Sequence, residues 1–385
     1  MRRLIGLALA ATLMACGFAA RAEEGVYDPA RVSDSLKAIF QFGSAATKQA
    51  LNANTVTLIS GTIGGTYVQF GADLASVLDD GNKLRVLPIV GRGSVQSVAD
   101  ILFLQGVDLG IVRADTLDYL ERKGFAKDIK KQFTYVTKLY NEEMQVIAPL
   151  AVRNLRDLDG KRVSVDLPDG STFVTALAVF ERLGLNAANF AYIEQRIAME
   201  KLKKGELDAV IVVGGKPYKS VSNFVNDGRY HLVTVDYDRP LQNDYLPATL
   251  TSKDYPNLIA EGDKVDTIAV PAVLAVFNWQ KNTDRYNRVE RFIEYLFSRW
   301  DTLQHPPYHP KWRDVNLAAT VPGWTRFSVA EQLLQQMQVE QQQKQQQRAA
   351  FETFLSNQPR MPASDADRED LFRKFLQWQA QGQHR

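Results

Sequence analysis

The stretch Thr55-Val56-Thr57-Leu58-Ile59-Ser60-Gly61-Thr62-Ile63-Gly64-Gly65-Thr66-Tyr67 decides the fold. Thr55–Ser60 is rich in β-branched residues and predicts a strand. The glycines that follow permit a tight turn, and from Tyr67 to Leu78 apolar residues recur at helical spacing. The same order returns downstream. Leu84–Val90, Gly91-Arg92-Gly93-Ser94 and Val95–Gln105 form a second unit; Val107–Val112, Arg113-Ala114-Asp115 and Thr116–Lys123 form a third. Strands alternating with helices at this spacing predict βα units around a mainly parallel sheet.

A second set starts near residue 142. Met144–Pro149 and Gly160–Val165 predict strands, Asp169-Gly170-Ser171-Thr172 leads into a helix to Leu183, and Asp208–Val213 predicts a strand running into Gly214-Gly215-Lys216-Pro217. Val265–Phe277 predicts a long strand and Arg285–Arg299 a helix, both expected to return to the first set. The expected fold is therefore α/β, with the same architecture repeated in two lobes and a C-terminal helical extension. Its parts are a signal peptide over 1–22, a leader helix in 23–53, lobe 1 over 54–141 and 246–312, lobe 2 over 142–245, and a Gln-rich extension over 313–385.

The two ends differ from this body. Arg2 and Arg3 precede an apolar run that closes at Ala20-Arg21-Ala22, the pattern of a secretory signal with its cleavage site. Leu13-Met14-Ala15-Cys16-Gly17 is also close to a bacterial lipobox, so Cys16 is either an acylated first residue or a small apolar residue inside an ordinary signal. Both outcomes predict a periplasmic chain. In the leader, Val32, Leu36, Ile39 and Phe40 share one helical face. Between Gln332 and Gln347, ten of sixteen residues are glutamine, which predicts a solvated helix, and a second helix is expected from Asp365 to Trp378. The aromatic residues of this tail leave open a role in binding a protein partner.

Composition narrows the function classes. The chain of 385 residues has 46 basic and 44 acidic side chains, and three of the cations, Arg2, Arg3 and Arg21, lie in the signal; 46 less these three leaves 43. A near-neutral mature chain gives no case for nucleic acid, which needs concentrated basic charge. Cys16 is the only cysteine, so a cysteine nucleophile or Cys-based metal site is excluded from the mature protein. His305 and His309 sit among prolines that oppose the helix an H-x-x-x-H metal pair would need. A P-loop is excluded because no Gly-Lys-Ser/Thr follows the glycines. Asp166 and Asp169 suit a loop or a cap better than acid–base work. Neither an enzyme nor a cofactor or metal site is expected.

What remains is a repeated arrangement. Gly64-Gly65-Thr66, Gly93-Ser94, Ala114-Asp115-Thr116 and Gly170-Ser171-Thr172 each place small or hydroxyl residues where a helix begins. Helix starts expose unpaired N–H groups and about half a positive charge, so a small side chain there lets an anion approach the backbone. Taken singly, each loop is equally a turn or a cap. Together they predict a polar cleft between lobes.

Ser60–Tyr67, then Gly93-Ser94-Val95, then Asp108–Asp115 resemble the TAXI family of extracytoplasmic receptors for TRAP transporters. The second half agrees through Leu155-Arg156-Asp157-Leu158, Gly160-Lys161-Arg162-Val163, Gly170-Ser171-Thr172, and Gly205-Glu206-Leu207-Asp208-Ala209 with Gly215 and Pro217. The resemblance spans about 54–300. It implies a two-lobed, type II periplasmic-binding-protein-like clamshell that closes on a small anionic or zwitterionic solute, of the glutamate, glutamine or 2-oxoglutarate class, and delivers it to TRAP permease subunits in the membrane. It implies ligand contacts from Thr62, Thr66, Tyr67 and Ser94 in lobe 1 and from Ser171 and Thr172 in lobe 2, and Gly64, Gly65 and Gly215 stand beside them in the candidate set. Arg113 stands where the family commonly has Gln. With Asp115 it joins the candidate set, because a guanidinium suits a carboxylate through a two-point pair; the alternative is an Arg113 that turns out to solvent. The rival function is a clamshell-derived interaction or sensor protein that engages a protein partner through the Gln-rich extension; a third is an exported enzyme.

Overall fold

In the computed structural model the described residues are 49, 51–62, 65–81, 83–168, 170–356 and 368–375. The signal, Cys16, the leader helix up to residue 48, Gly64, Asp169 and residues 365–367 and 376–378 of the second tail helix lie outside them. Two compact units are present, residues up to Phe327 and residues from Ser328.

The first unit is built on one sheet of ten strands. β1 (Thr55–Ile59) lies between β2 (Arg85–Ile89) and β3 (Leu109–Arg113), all parallel. β5 (Val163–Ser164) likewise lies between β6 (Phe190–Ala191) and β7 (Ala209–Gly214), again parallel. Between the two sets run β4 (Phe133–Pro149) and β10 (Lys264–Phe277), antiparallel to each other, giving the order β2-β1-β3-β10-β4-β7-β5-β6. β8 (Tyr230–Leu232) pairs with β4, and β9 (Leu246–Thr251) with β10. Each parallel set is one lobe, and β4 and β10 pass through both. This is the two-lobed, periplasmic-binding-protein-like α/β architecture that the sequence predicted.

β4 is nearly three times as long as the predicted Met144–Pro149. The part that precedes Met144 carries Thr134, Thr137, Glu142 and Glu143, all buried, and these polar residues mask the apolar run that marks a buried strand. It changes neighbours at Glu142–Glu143, where pairing with β10 gives way to pairing with β7.

Two predicted boundaries differ from the packing. Leu250, Tyr255, Leu258 and Ile259, in a stretch assigned to lobe 1, share a core with Val210, Val212 and Tyr230 of lobe 2. β9 also pairs with the end of β10 that faces lobe 2. At the other end, Val321 and Trp324 join the lobe 1 core with Val112 and Tyr135, and the Phe327 N–H bonds the Tyr135 carbonyl at 2.9 Å, so the extension begins at Ser328 rather than at residue 313.

The helices follow their apolar spacing. α1 (Thr66–Leu78) buries Tyr67, Phe70, Leu74, Val77 and Leu78, a stripe with steps of three and four. Phe70 stacks on Trp312 at 3.9 Å between centroids, and Trp312 Nε1 donates to Asp73 at 2.9 Å, which ties the proline-rich stretch near 310 to this helix. α2 (Ser94–Phe103), α3 (Asp115–Arg122), α4 (Ser171–Leu183), α5 (Gln195–Lys203) and α6 (Asp284–Ser298) are the other helices of eight or more residues among the described residues of this unit. The second unit contains α7 (Ser328–Ser356), whose glutamine stretch is largely exposed. In it Phe351, Leu355 and Phe375 form a small core, and Arg368 pairs with Glu352 at 2.6 Å.

Candidate functional site

The loops that precede α1 and α4 are built alike. In lobe 1, the Gly65 N–H bonds the Thr62 carbonyl at 3.0 Å; in lobe 2, the Gly170 N–H bonds the Leu167 carbonyl at 2.9 Å. Both glycines cap their helices in the same extended conformation, φ −79° and ψ 157° for Gly65 and φ −76° and ψ 152° for Gly170, and neither cap makes a side-chain bond. A Cβ on either would press on the turn carbonyl, at 3.1 Å from Thr62 and 3.0 Å from Leu167, so glycine lets both turns close. The first N–H groups of two thirteen-residue helices are thus left without a capping side chain.

Both loops line one cavity of about 80 Å³ between the lobes. At roughly 10–15 Å³ per water, it has room for several waters or a small solute. From the predicted set it brings together Thr62, Gly65, Thr66, Tyr67, Arg113, Ser171, Thr172 and Gly215. Ser94 and Asp115 are not in its walls. Ser94 is fully buried: its N–H donates to Ser171 Oγ at 2.8 Å, and its hydroxyl meets Ser171 Oγ at 2.9 Å and accepts from the Arg113 N–H at 3.0 Å. It joins the lobes behind the cavity. Asp115 does the same further away, where its Oδ2 accepts from Thr175 at 2.8 Å and from the Tyr245 hydroxyl at 3.2 Å. Burial pushes its carboxyl up, against the pull of Arg113 and of these hydroxyls.

Arg113 is neither the two-point clamp nor the solvent-facing residue that the sequence allowed. Only 5% exposed, it donates Nε to Glu142 and Nη2 to the Val213 carbonyl, which spans from β3 in lobe 1 to β7 in lobe 2. Nη1 alone is left without a partner. Glu142 also accepts from the Tyr140 hydroxyl at 3.3 Å. The Tyr67 hydroxyl is buried without a hydrogen-bond partner, and burial, followed by the Glu142 charge, raises its pKa well above the ordinary value. Thr172 turns its hydroxyl to β7, accepting from the Val213 N–H at 3.3 Å.

Sequence reasoning missed Glu142, Tyr140, Asp166, Gln195, Tyr218 and Arg92, which also line the cavity. Asp166 lies in the turn two residues after β5 and holds a left-handed backbone at φ 68°. Its Oδ2 accepts from Gln195 Nε2 at 3.2 Å, and burial raises its pKa. The signal for Glu142 was present as two adjacent acids just ahead of the expected strand Met144–Pro149. Alternation sends Glu142 to the cavity and Glu143 to the other face, where it accepts from the Lys216 N–H at 2.9 Å.

With two lobes and a walled polar cavity in place, comparison with known proteins is informative. The model of the NMT1-like family matches residues 58–321, which is both lobes and both crossing strands. The chain belongs to the NMT1-like family. Among solved structures, this NMT1-like chain is similar to a Xanthomonas citri protein bound to ATP, at 10% identity over 68% of this chain and 89% of that one, with a TM-score of 0.44. It is similar to PhnD1 from Prochlorococcus marinus in complex with methylphosphonate, at 10% identity over 69% and 90%, with a TM-score of 0.41. The periplasmic aliphatic sulphonate binding protein SsuA from Escherichia coli is 14% identical over 47% and 56%, with a TM-score of 0.34.

Proposed function

We propose that this NMT1-like chain is an extracytoplasmic solute-binding receptor whose interlobe cavity takes a small solute with an acidic group. The observation that carries this reading is the pair of matched, glycine-capped helix starts at Thr66 and Ser171, contributed by opposite lobes to one cavity. Two uncapped N–H clusters at the positive ends of helices favour an anionic group. The unpartnered Arg113 Nη1 and Tyr67 hydroxyl add donors in the wall. No covalent step is needed, because affinity comes from replacing cavity water by a solute that satisfies these groups.

The finer assignment is a TAXI-type receptor that works in the periplasm and hands an organic acid or amino acid to TRAP permease subunits. It is supported by the run of motifs from Ser60 to Pro217. A second role is favoured by one observation: the residues from Ser328 form a unit with its own aromatic core, which suits an appended element that engages a protein partner.

A thermal-shift screen of the purified protein against organic acids and amino acids tests the receptor reading. A bound solute at 100 times its Kd is expected to add about 2.7 kcal/mol of stability. A panel that leaves the melting curve unmoved counts against the receptor, and capture of a protein by residues 328–385 with no solute effect would favour the second role.

A further inference from the structure

The wall behind the two helix starts is made by a buried couple, Arg113 and Glu142, 5% and 4% exposed. Glu142 takes the Nε edge of the guanidinium and the Val213 carbonyl takes Nη2, so this couple offers the cavity one donor, Nη1, and no net charge. Asp166 adds a carboxylate that accepts a hydrogen bond from the Gln195 amide and, among the described residues, has no ion pair. Arg92 is at the exposed rim, where water and salt screen its charge. A solute with one acidic group can place it at the helix starts within reach of Nη1. A second acidic group would face Glu142 or Asp166 in a site with little water, and a like charge there costs about 10- to 100-fold in affinity.

We propose that Glu142 sets the charge class of the solute: by taking up the charge and one edge of Arg113, it admits solutes with one acidic group and turns away those with two. This rests on the receptor reading, and the experiment separates the two. Calorimetric titration of the purified protein uses L-glutamine and L-glutamate, which are alike in size and differ by one acidic group. Wild type should favour glutamine by about tenfold or more, and Glu142→Gln should shift that ratio toward glutamate by about tenfold or more. The double variant Arg113→Gln/Glu142→Gln, which leaves no buried charge behind and guards against a misfolded single variant, should keep the wild-type ratio within about threefold.

A wild type that prefers glutamate overturns the proposal, as does a double variant that loses glutamate about tenfold more than glutamine. Melting in sodium acetate and sodium malonate covers the case in which neither amino acid binds. Glu142→Gln should then gain more stability from malonate than from acetate, relative to wild type, and an equal response overturns the proposal. If no solute stabilises wild type while Glu142→Gln gains with malonate, the receptor reading fails alone. If wild type takes up a solute with two acidic groups in preference to its singly acidic analogue, this inference fails alone.

Discussion

The two lobes of the NMT1-like unit meet along two surfaces of opposite character. Around the cavity, helix starts, hydroxyls and the Arg113–Glu142 couple surround open space, and two buried donors have nothing to bond. Along the seam between α3 and α4, Val174 is buried in the lobe 1 core, Lys123 pairs with Glu181, and Arg182 reaches both Asp244 at 2.7 Å and Asp118 at 3.0 Å. The seam therefore holds the lobes together without a ligand, while the cavity leaves donors unmet. On the receptor reading, recognition belongs to the cavity, while cohesion is shared by the seam with Arg113 and Ser94. Changes at the seam should move stability and leave solute preference alone; changes in the cavity wall should move preference.

The largest expected effect breaks the wall. Arg113→Leu leaves Glu142 buried and uncompensated and should cost about 3–5 kcal/mol in urea denaturation, most of it recovered in Arg113→Gln/Glu142→Gln. Next comes Val174→Ala at the seam, which removes two methyl groups from a packed site and should cost about 2 kcal/mol with the solute ratio unchanged. Should Val174→Ala change which solute binds, the separation of the two surfaces fails.

The third prediction uses acid. Burial works to raise the Asp118 carboxyl, but hydrogen bonds from Lys130 and Arg122 outweigh it and hold the group down at about 2. A carboxyl held below its unfolded value contributes fully above about pH 4 and loses that contribution as pH falls toward 2. Asp118→Asn should thus lower stability by about 1–2 kcal/mol at pH 7, and the gap to wild type should close between about pH 4 and 2; a gap that does not vary with pH in that window would exclude the ion network as its source. The smallest effect is at the hinge of the two surfaces. Ser171→Ala removes the hydroxyl that meets Ser94 and should cost about 1 kcal/mol.

The same contrast explains how much the sequence could tell. Helix starts are local: a β-branched run, then Gly65-Thr66 or Gly170-Ser171, is enough to place a strand end and a helix beginning. Those positions are the ones the structure brings to the cavity. The wall is nonlocal. Arg113 finds Glu142 twenty-nine residues away on a crossing strand, and nothing near residue 113 says which way its guanidinium turns. Tyr140 and Asp166 are hidden for the same reason, because their approach depends on the register of β4 and on the turn after β5. The lobe boundary moved because β9 is weakly apolar by itself, and only its pairing with β10 and the packing of Tyr255 assign it to lobe 2.

Hydrogen exchange at the amides of residues 65–67 and 170–172, measured with and without a stabilising solute, bears most directly on whether opposite lobes share one recognition site. Joint slowing at both helix starts is the predicted result. Slowing at one start alone, or in the groove lined by Thr234, Tyr237 and Thr267 with both starts unchanged, would contradict it.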